Sequence, residues 1–94
     1  LNMYRLKYSS RFKKDIRKLA HSSYFNRAAL EHVLESLVAG RALPAKHRNH
    51  GLRGEFKGCF ECHVQPDVLL VYEVDETRYI IYLLRIGSHS ELFG

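Results

Sequence analysis

Two almost wholly apolar stretches in the second half of the chain limit its possible folds more than any other feature. They are Val68–Val71 and Tyr79–Leu84, and the turn-forming residues Asp75–Thr77 lie between them. Short continuous apolar runs favour strands at the centre of a sheet, covered on both faces or nearly so. The short connection favours antiparallel pairing. We therefore predict a sheet built around two strands, at about Val68–Val74 and Arg78–Ile86.

Three further segments carry strand patterns. Cys59–Val64 alternates between two faces and is followed by the turn residues Pro66 and Asp67. Another strand is expected around Gly51–Phe56, and Tyr4–Tyr8 alternates apolar and basic residues as a half-buried strand does. The three strands nearest the end of the chain are expected to form a meander with tight connections.

Two amphipathic helices are predicted between the first strand and the others. The first follows Ser9 or Ser10, whose hydroxyl oxygen can accept the free amide protons of a first turn. The second runs from about Phe25 to Ala39, and Gly40 is placed to end it. Their inner faces, read from the helical spacing, are Phe12, Ile16, Leu19 and Ala20, and then Leu30, Val33, Leu34, Leu37 and Val38.

The element order predicts an α+β fold. It has an N-terminal strand, an α-helical hairpin, and then a curled antiparallel sheet of about four strands that holds the helices on one face. At 94 residues the chain is long enough for one modest core but not for two. We therefore expect a single domain over residues 1–94.

The balance of charge is basic. Fifteen Lys and Arg against ten Asp and Glu give a formal charge of +5. An excess of this size favours an anionic partner, namely nucleic acid, a membrane surface or an acidic protein. Four of the cations form a stripe along the first predicted helix, called the basic stripe below: Lys13, Lys14, Arg17 and Lys18. Such a stripe is either ordinary solvated surface or a contact for phosphate groups.

The sequence contains no segment of the kind that membranes require. No apolar run approaches the roughly 20 residues needed to cross a bilayer. The first residues also lack the long apolar segment of a secretion signal. We therefore expect a cytoplasmic protein with no membrane partner.

Histidines and charged residues collect around the predicted Cys59–Val64 strand and the end of the last strand. Glu61 and His63 share one face of the first of these strands, because side chains alternate along it. The other members of the group lie at strand ends or in the preceding segment: His50, Asp67, Arg85 and His89. Neighbouring strands would bring these side chains together, and histidine suits acid–base work because its charge changes near neutral pH.

RNA cleavage is the chemistry that this combination fits best. RNA carries its own nucleophile, the 2′-hydroxyl group. A ribonuclease therefore needs a base for that proton, an acid for the 5′-oxygen, and cations for the charge that develops on phosphorus. Histidines can serve as base and acid, and the candidate cations are Arg53, Lys57 and Arg85. This chemistry requires no metal ion and no other cofactor.

Several motifs in the chain resemble those of the YafQ branch of the RelE/ParE toxin superfamily. They are Leu43-Pro44 followed by Asn49-His50, Gly54-Glu55-Phe56-Lys57-Gly58, Glu61–Asp67 with Leu70-Val71-Tyr72, and Leu84–Phe93. The resemblance extends over the chain from about Met3 to Phe93, in the element order of the family. Cys59 and Phe60 depart from the Tyr-Arg of the family pattern, so a contact to substrate is expected to be missing or replaced.

The resemblance implies a toxin of a type II toxin–antitoxin pair that cuts mRNA in the ribosomal A site. The active-site positions of the family fall on His50, His63, Asp67 and His89. Glu61 falls at a nearby acidic position, and Phe93 falls at an aromatic position near the mRNA. We assign His89 as general acid and His63 or His50 as general base, with Asp67 orienting one of the histidines or tuning its pKa.

The resemblance also implies the partners. An acidic, DinJ-like antitoxin is expected to wrap the helices and to cover the histidine cleft. Operator DNA is expected to be reached only through that antitoxin. The ribosome and its mRNA are the other expected partners, and the basic stripe is the expected ribosome contact.

Other interpretations of the same residues have to be weighed. Cys59–His63 reads C-x-x-C-H, the signature of covalent haem attachment, but two thiols three residues apart on a strand point to opposite faces. The same geometry disfavours zinc, and a cytoplasmic setting disfavours a disulfide. A non-enzymatic ParE-like toxin that binds a protein such as gyrase would lack the histidine set. A plain RNA- or DNA-binding module is the third alternative.

Overall fold

The computed structural model describes residues 3–94, which contain one five-stranded sheet and three α-helices. The elements follow the chain in this order: β1 (Arg5–Tyr8), α1 (Ser10–Ala20), α2 (Arg27–Val38), β2 (His50–Gly51), β3 (Cys59–Gln65), β4 (Val68–Asp75), β5 (Ile80–Gly87) and α3 (His89–Phe93). Single 3₁₀ turns lie at Ala45–His47 and Gly54–Phe56. Within residues 3–94, no helix has the length and apolar character needed to cross a membrane.

The strands lie side by side in the order β1-β5-β4-β3-β2. β3, β4 and β5 form the antiparallel meander that the apolar runs predict, and β2 adds a short edge. β1 lies on the opposite edge and runs parallel to β5, with Arg5 opposite Ile80 and Tyr8 opposite Leu83. The α+β prediction is confirmed, but the sheet is mixed. The connection from β1 to β5 passes through the helices and the other strands, and it is long enough for a parallel pairing.

The inner face of the sheet shares one hydrophobic core with α1 and α2. α1 packs against β5, and α2 packs against β3. The helices and the three central strands all contribute nearly inaccessible side chains: Phe12, Leu19, Leu30, Val33, Leu37, Cys62, Val64, Leu70, Leu83 and Ile86. Burial of one large apolar side chain contributes about 1.5–3 kcal/mol. Ala20 is exposed rather than buried, since it is the last residue of α1.

The central strand β4 is buried on both faces, as its apolar run predicts. Leu70 and Tyr72 point into the core beneath the helices. Leu69 and Val71 point to the other face of the sheet and are nevertheless only 2% and 1% exposed. The second face of the sheet is therefore covered as well.

Side-chain caps set the starts of both long helices. The Ser9 hydroxyl oxygen accepts the Phe12 amide proton at 2.9 Å, and the same hydroxyl donates to the Leu84 carbonyl oxygen at 2.8 Å. This cap therefore also ties the start of α1 to β5. Asn26 caps α2 in the same way, and Gly40 follows that helix with a φ of 69°, a conformation that glycine adopts without strain.

One predicted strand is wrong, and one short helix was not predicted. The strand expected around Gly51–Phe56 is limited to the two residues of β2, and a 3₁₀ turn follows. Gly54 and Gly58 have φ values of 69° and 96°, which the extended backbone of a strand excludes. The segment after β5 also forms a short helix, α3, which was not predicted.

Candidate active site

Strand register brings several of the predicted site residues to one end of the sheet. His63 on β3 lies opposite Leu69 on β4, and Leu69 lies opposite Gly87 at the end of β5. His89 follows Gly87 by two residues as the first residue of α3. Asp67 lies in the turn that joins β3 to β4, next to the same row. The β3–β4 turn and the start of α3 are therefore neighbours in the fold.

His50 enters the site from β2, directly opposite Glu61 on β3. Its Nε2 lies 3.5 Å from the Glu61 Oε1, and its Nδ1 lies 2.7 Å from the Arg48 carbonyl oxygen. A carbonyl oxygen only accepts, so Nδ1 carries a hydrogen. Both ring nitrogens of His50 therefore face oxygen acceptors.

A buried tyrosine holds the loop that carries His50. The Tyr72 hydroxyl group donates to the Asn49 Oδ1 at 2.7 Å, and Phe60 stacks on the Tyr72 ring with centroids 5.6 Å apart. Burial, with the nearby Cys62, raises the pKa of Tyr72 to about 12, so the hydroxyl keeps its proton. Phe60, one of the two departures from the family pattern, thus packs against the anchor of this loop.

The aromatic residues near His89 join α3 to the Gly54–Phe56 turn. The His89 and Phe93 rings lie 5.3 Å apart between centroids. Phe93 meets Phe56 edge to face at 5.9 Å. Arg53 and Lys57 flank that turn and are exposed. Two of the predicted cations and the predicted mRNA-contacting aromatic residue are therefore carried by elements that pack together.

The carboxylate of Glu91 fixes the start of α3. Its Oε1 accepts the Ser88 amide proton at 2.8 Å, and the Ser88 hydroxyl accepts the Glu91 amide proton at 3.2 Å, which completes a capping box. Its Oε2 lies 3.0 Å from the Lys18 Nζ. The Ser88 amide hydrogen bond, followed by Lys18, lowers the pKa of Glu91 to about 2. A Cβ atom on Gly87 would lie 3.0 Å from Oε1, so a larger residue there would displace the Glu91 carboxylate by a few tenths of an ångström.

Arg85 has a protein partner in the fold. Its Nε and Nη2 donate to the two carboxylate oxygens of Asp15 at 2.7 and 3.3 Å. The Asp15 Oδ2 also accepts the Ile86 amide proton at 3.1 Å, beyond the end of the β1–β5 pairing. Arg85 thus joins α1 to β5 through a two-point charged hydrogen bond. Among the three predicted cations, Arg53 and Lys57 are the ones left exposed.

The basic stripe lies on the solvent side of α1. Its four members are exposed: Lys13, Lys14, Arg17 and Lys18. Lys18 is also the partner of Glu91, which raises the pKa of that lysine. The stripe therefore reaches α3, and with it the end of the sheet where His89 lies.

Both cysteines are free thiols in different surroundings. Cys62 is fully buried in the core, and burial raises its pKa to about 12. Cys59 is half-buried, and burial raises its pKa as well. A thiol inside the hydrophobic core cannot bond a haem at the surface, so the C-x-x-C-H motif is accidental here.

Sequence reasoning did not single out three residues that build the site. Tyr72 and Asn49 hold the His50 loop, and the buried His47 places its Nδ1 2.6 Å from the His63 carbonyl oxygen. A tyrosine inside an apolar run signals a buried hydroxyl group that needs a partner. His47 lies among cations in a loop, and that setting indicates a surface residue.

Comparison with known proteins identifies the family. The sequence profile described as "Bacterial toxin of type II toxin-antitoxin system, YafQ" matches residues 4–94. The chain belongs to the YafQ family. The resemblance inferred from the motifs is thereby confirmed.

Relatives and solved structures agree with this family over almost the whole chain. The mRNA interferase toxin YafQ of Escherichia coli K12 is 33% identical over 90 residues, covering 95% of each chain. The E. coli DinJ–YafQ complex contains a toxin chain with a TM-score of 0.84 and 32% identity, covering 97% of this chain and 99% of that one. A copper-bound mutant toxin from Helicobacter pylori gives a TM-score of 0.89 and 40% identity, covering 97% and 100%.

The copper in that relative raises the question of a metal site in this YafQ-family chain. Within residues 3–94, no three His, Cys, Asp or Glu side chains are grouped so that they could hold a metal ion.

Proposed function

We propose that this YafQ-family toxin is an endoribonuclease that cuts mRNA on the ribosome. The observation that carries the proposal is the His63–Leu69–Gly87 row, which puts His63 and the helix that begins with His89 at one end of the sheet. The curated relative of E. coli is named an mRNA interferase, which supports the same activity. The proposed compartment is the cytoplasm, where ribosomes and mRNA meet.

The proposed reaction needs one proton acceptor and one proton donor. The 2′-oxygen of the substrate attacks the adjacent phosphorus, and its proton passes to His63. The P–O5′ bond breaks, His89 gives a proton to the departing 5′-oxygen, and a 2′,3′-cyclic phosphate remains. We assign the base to His63 rather than to His50 because both nitrogens of His50 face acceptors. Asp67 orients a histidine from the β3–β4 turn.

Cations and an aromatic residue complete the proposed site. His50, held beside Glu61, contacts the phosphate oxygens on which charge develops. Arg53 and Lys57 hold the flanking phosphates from their exposed positions around the Gly54–Phe56 turn. Phe93, packed against His89, offers a ring to a base of the mRNA.

An acidic antitoxin is the proposed partner that restrains this activity. YafQ of E. coli is found in complex with DinJ, and this chain carries a net charge of +5. The antitoxin covers the histidine cleft and the helices, and any contact with operator DNA passes through it. Once the antitoxin is released, the basic stripe on α1 docks on ribosomal RNA.

The proposal is tested by mapping mRNA ends in a translating extract. His89→Ala and His63→Ala should each lower the cleavage rate about 10²–10⁴-fold, the usual contribution of general acid–base catalysis. Lys7→Ala, an exposed change on β1, is the matched control and should cut normally. Intact mRNA with the unaltered protein would contradict the proposal, and inhibited gyrase alongside it would favour the ParE-like alternative.

A further inference from the structure

A cavity of about 690 Å³ lies between the first turn of α2, the Ala45–His47 turn and the end of β3. We call it the α2–β3 pocket. One part of its wall is apolar, formed by Ala28, Ala29, Val64 and Pro66. The rest is basic or polar, and none of the described residues that line the pocket is acidic. Its volume falls within the range of small-molecule sites.

His47 supplies a buried polar atom that the described part of the chain leaves without a partner. The residue is 4% exposed, and its Nδ1 donates to the His63 carbonyl oxygen at 2.6 Å. Its Nε2 is buried and has no hydrogen-bond partner among residues 3–94. Such atoms are rare in folded proteins because they cost stability. Nε2 can accept from a hydroxyl group or, when protonated, donate to an anionic oxygen.

The charges around the pocket favour an anionic group. Lys46 and Arg48, on either side of His47, are exposed cations on its rim, and His32 approaches from α2. The N-terminal end of α2 forms part of the wall through Ala28 and Ala29, and the dipole of the helix adds positive potential there. The cations, with no carboxylate among the described lining residues, suit a phosphate group. The apolar part of the wall suits a flat organic group joined to that phosphate.

The wall of the pocket is held in place by Gln65. Its Oε1 accepts the Asn26 amide proton at 2.7 Å, and its Nε2 donates to the Tyr24 carbonyl oxygen at 3.0 Å. The start of α2 is therefore fixed to the end of β3. These two parts of the wall are therefore ordered before a ligand binds, which lowers the entropic cost of binding.

We propose that the α2–β3 pocket binds one nucleotide of the RNA strand. The phosphate lies toward Lys46 and Arg48, the base lies on the apolar wall, and a small movement of the His47 ring lets its buried Nε2 bond the ligand. His63 belongs both to this wall and to the proposed active site, so the bound nucleotide neighbours the one that is cut. The choice of RNA as the ligand rests on the proposed function, and the pocket adds a second contact point on the RNA strand.

The site can be tested with a ligand that the protein cannot cut. A trinucleotide with 2′-O-methyl groups lacks the nucleophile, so binding is measured apart from cleavage. In ¹⁵N-labelled protein, the trinucleotide should shift the amide signals of residues 26–29, 46–48 and 63–65. Adenosine 5′-monophosphate should shift the same set, while adenosine without phosphate should bind more weakly. If adenosine 5′-monophosphate binds as tightly as the trinucleotide, the result supports the same site, and the natural ligand is then a free nucleotide.

Two substitutions separate the pocket from general charge attraction. Lys46→Ala should weaken trinucleotide binding about three- to tenfold, whereas Lys7→Ala, which removes the same charge from β1, should change it less than about twofold. His47→Phe keeps a buried ring without Nε2 and should weaken binding as well. His47→Phe can alter folding, so its binding result counts only if its melting temperature is unchanged. If the melting temperature falls, Lys46→Ala alone is the test of the site.

Several results would overturn the inference. The first is that the amide signals of the pocket do not shift at millimolar trinucleotide. The second is that Lys46→Ala and Lys7→Ala weaken trinucleotide binding equally. The third is that only an acidic peptide of the antitoxin shifts these signals. Failure of the nuclease proposal would look different. A protein that binds the trinucleotide in the pocket but leaves mRNA intact keeps this site and loses the proposed reaction.

Discussion

At the scale of single residues, the hydroxyl group of Tyr72 matters more than its place in an apolar strand suggests. It is the polar end of a buried ring, and its only described hydrogen bond, within residues 3–94, runs to Asn49 beside His50. Arg48, on the other side, has a φ of 48°, so the loop bends sharply here. The tyrosine therefore acts as a positioning residue for His50.

Removal of that hydroxyl group should loosen His50 without disturbing the core. We expect Tyr72→Phe to lower stability by about 1 kcal/mol, the usual value of one hydrogen bond. We expect the turnover of mRNA to fall about tenfold, with little change in KM, because a displaced catalytic group affects the transition state most. Tyr8→Phe, at an exposed ring, is the control. A raised KM with an unchanged turnover would contradict the positioning role.

The Asp15–Arg85 pair allows a similar separation of structure from catalysis. Asp15→Ala should lower the free energy of unfolding by about 2–3 kcal/mol, since it leaves the Arg85 guanidinium and the Ile86 amide without their acceptor. Lys14→Ala on the same helix should change it by no more than about 0.5 kcal/mol. Urea unfolding measures both. If Arg85→Ala abolished cleavage at unchanged stability, Arg85 would be a substrate contact instead.

At the scale of elements, the apolar runs predicted the central strands well, but the short elements around the site were not predicted. β3, β4 and β5 follow directly from alternation and continuous apolarity, because burial dictates those patterns. The Gly54–Phe56 turn depends on positive φ at two glycines, which periodicity does not record. α3 has five residues, too few to show a helical period. Its capping box, Ser88 with Glu91, was the available signal.

The capping box makes the docking of α3 sensitive to acid. Glu91 has a folded pKa of about 2 against an ordinary value of 4.5, so the folded state favours the ionised carboxylate. Its contribution is therefore complete above about pH 4.5 and is lost as the pH falls toward 2. We expect the amide signals of Ser88 and Leu92 to shift in that window. Glu91→Gln should remove the transition, and an unchanged curve in that variant would contradict the assignment.

At the scale of the whole molecule, the basic stripe and the site lie within reach of each other. Lys18 belongs to the stripe and bonds Glu91 on α3, so one cationic surface extends from α1 to the end of the sheet. Taken one by one, the residues of this surface do not indicate from the sequence that they belong to a common surface. Only the fold shows that α1 and α3 are neighbours, because residues 18 and 91 are far apart along the chain.

Binding to the ribosome should depend on this surface through charge. The double substitution Lys13→Glu and Lys14→Glu should weaken binding and reduce the slope of log Kd against log salt by about two or more. Arg5→Glu with Lys7→Glu, on exposed positions of β1, changes the net charge equally and is the control. Equal effects of the two pairs would show that net charge, and not the stripe, governs the association.

The pairing of β1 with β5 has a consequence for how this toxin is made. Among the described strands, the first along the chain bonds the last, so Arg5 can pair only after Ile80 has been synthesised. Contacts between such distant segments form late, because the loop between them has to close first. Completion of the sheet is therefore a late step of folding, and the end of the sheet that carries His63 and Gly87 is assembled late as well.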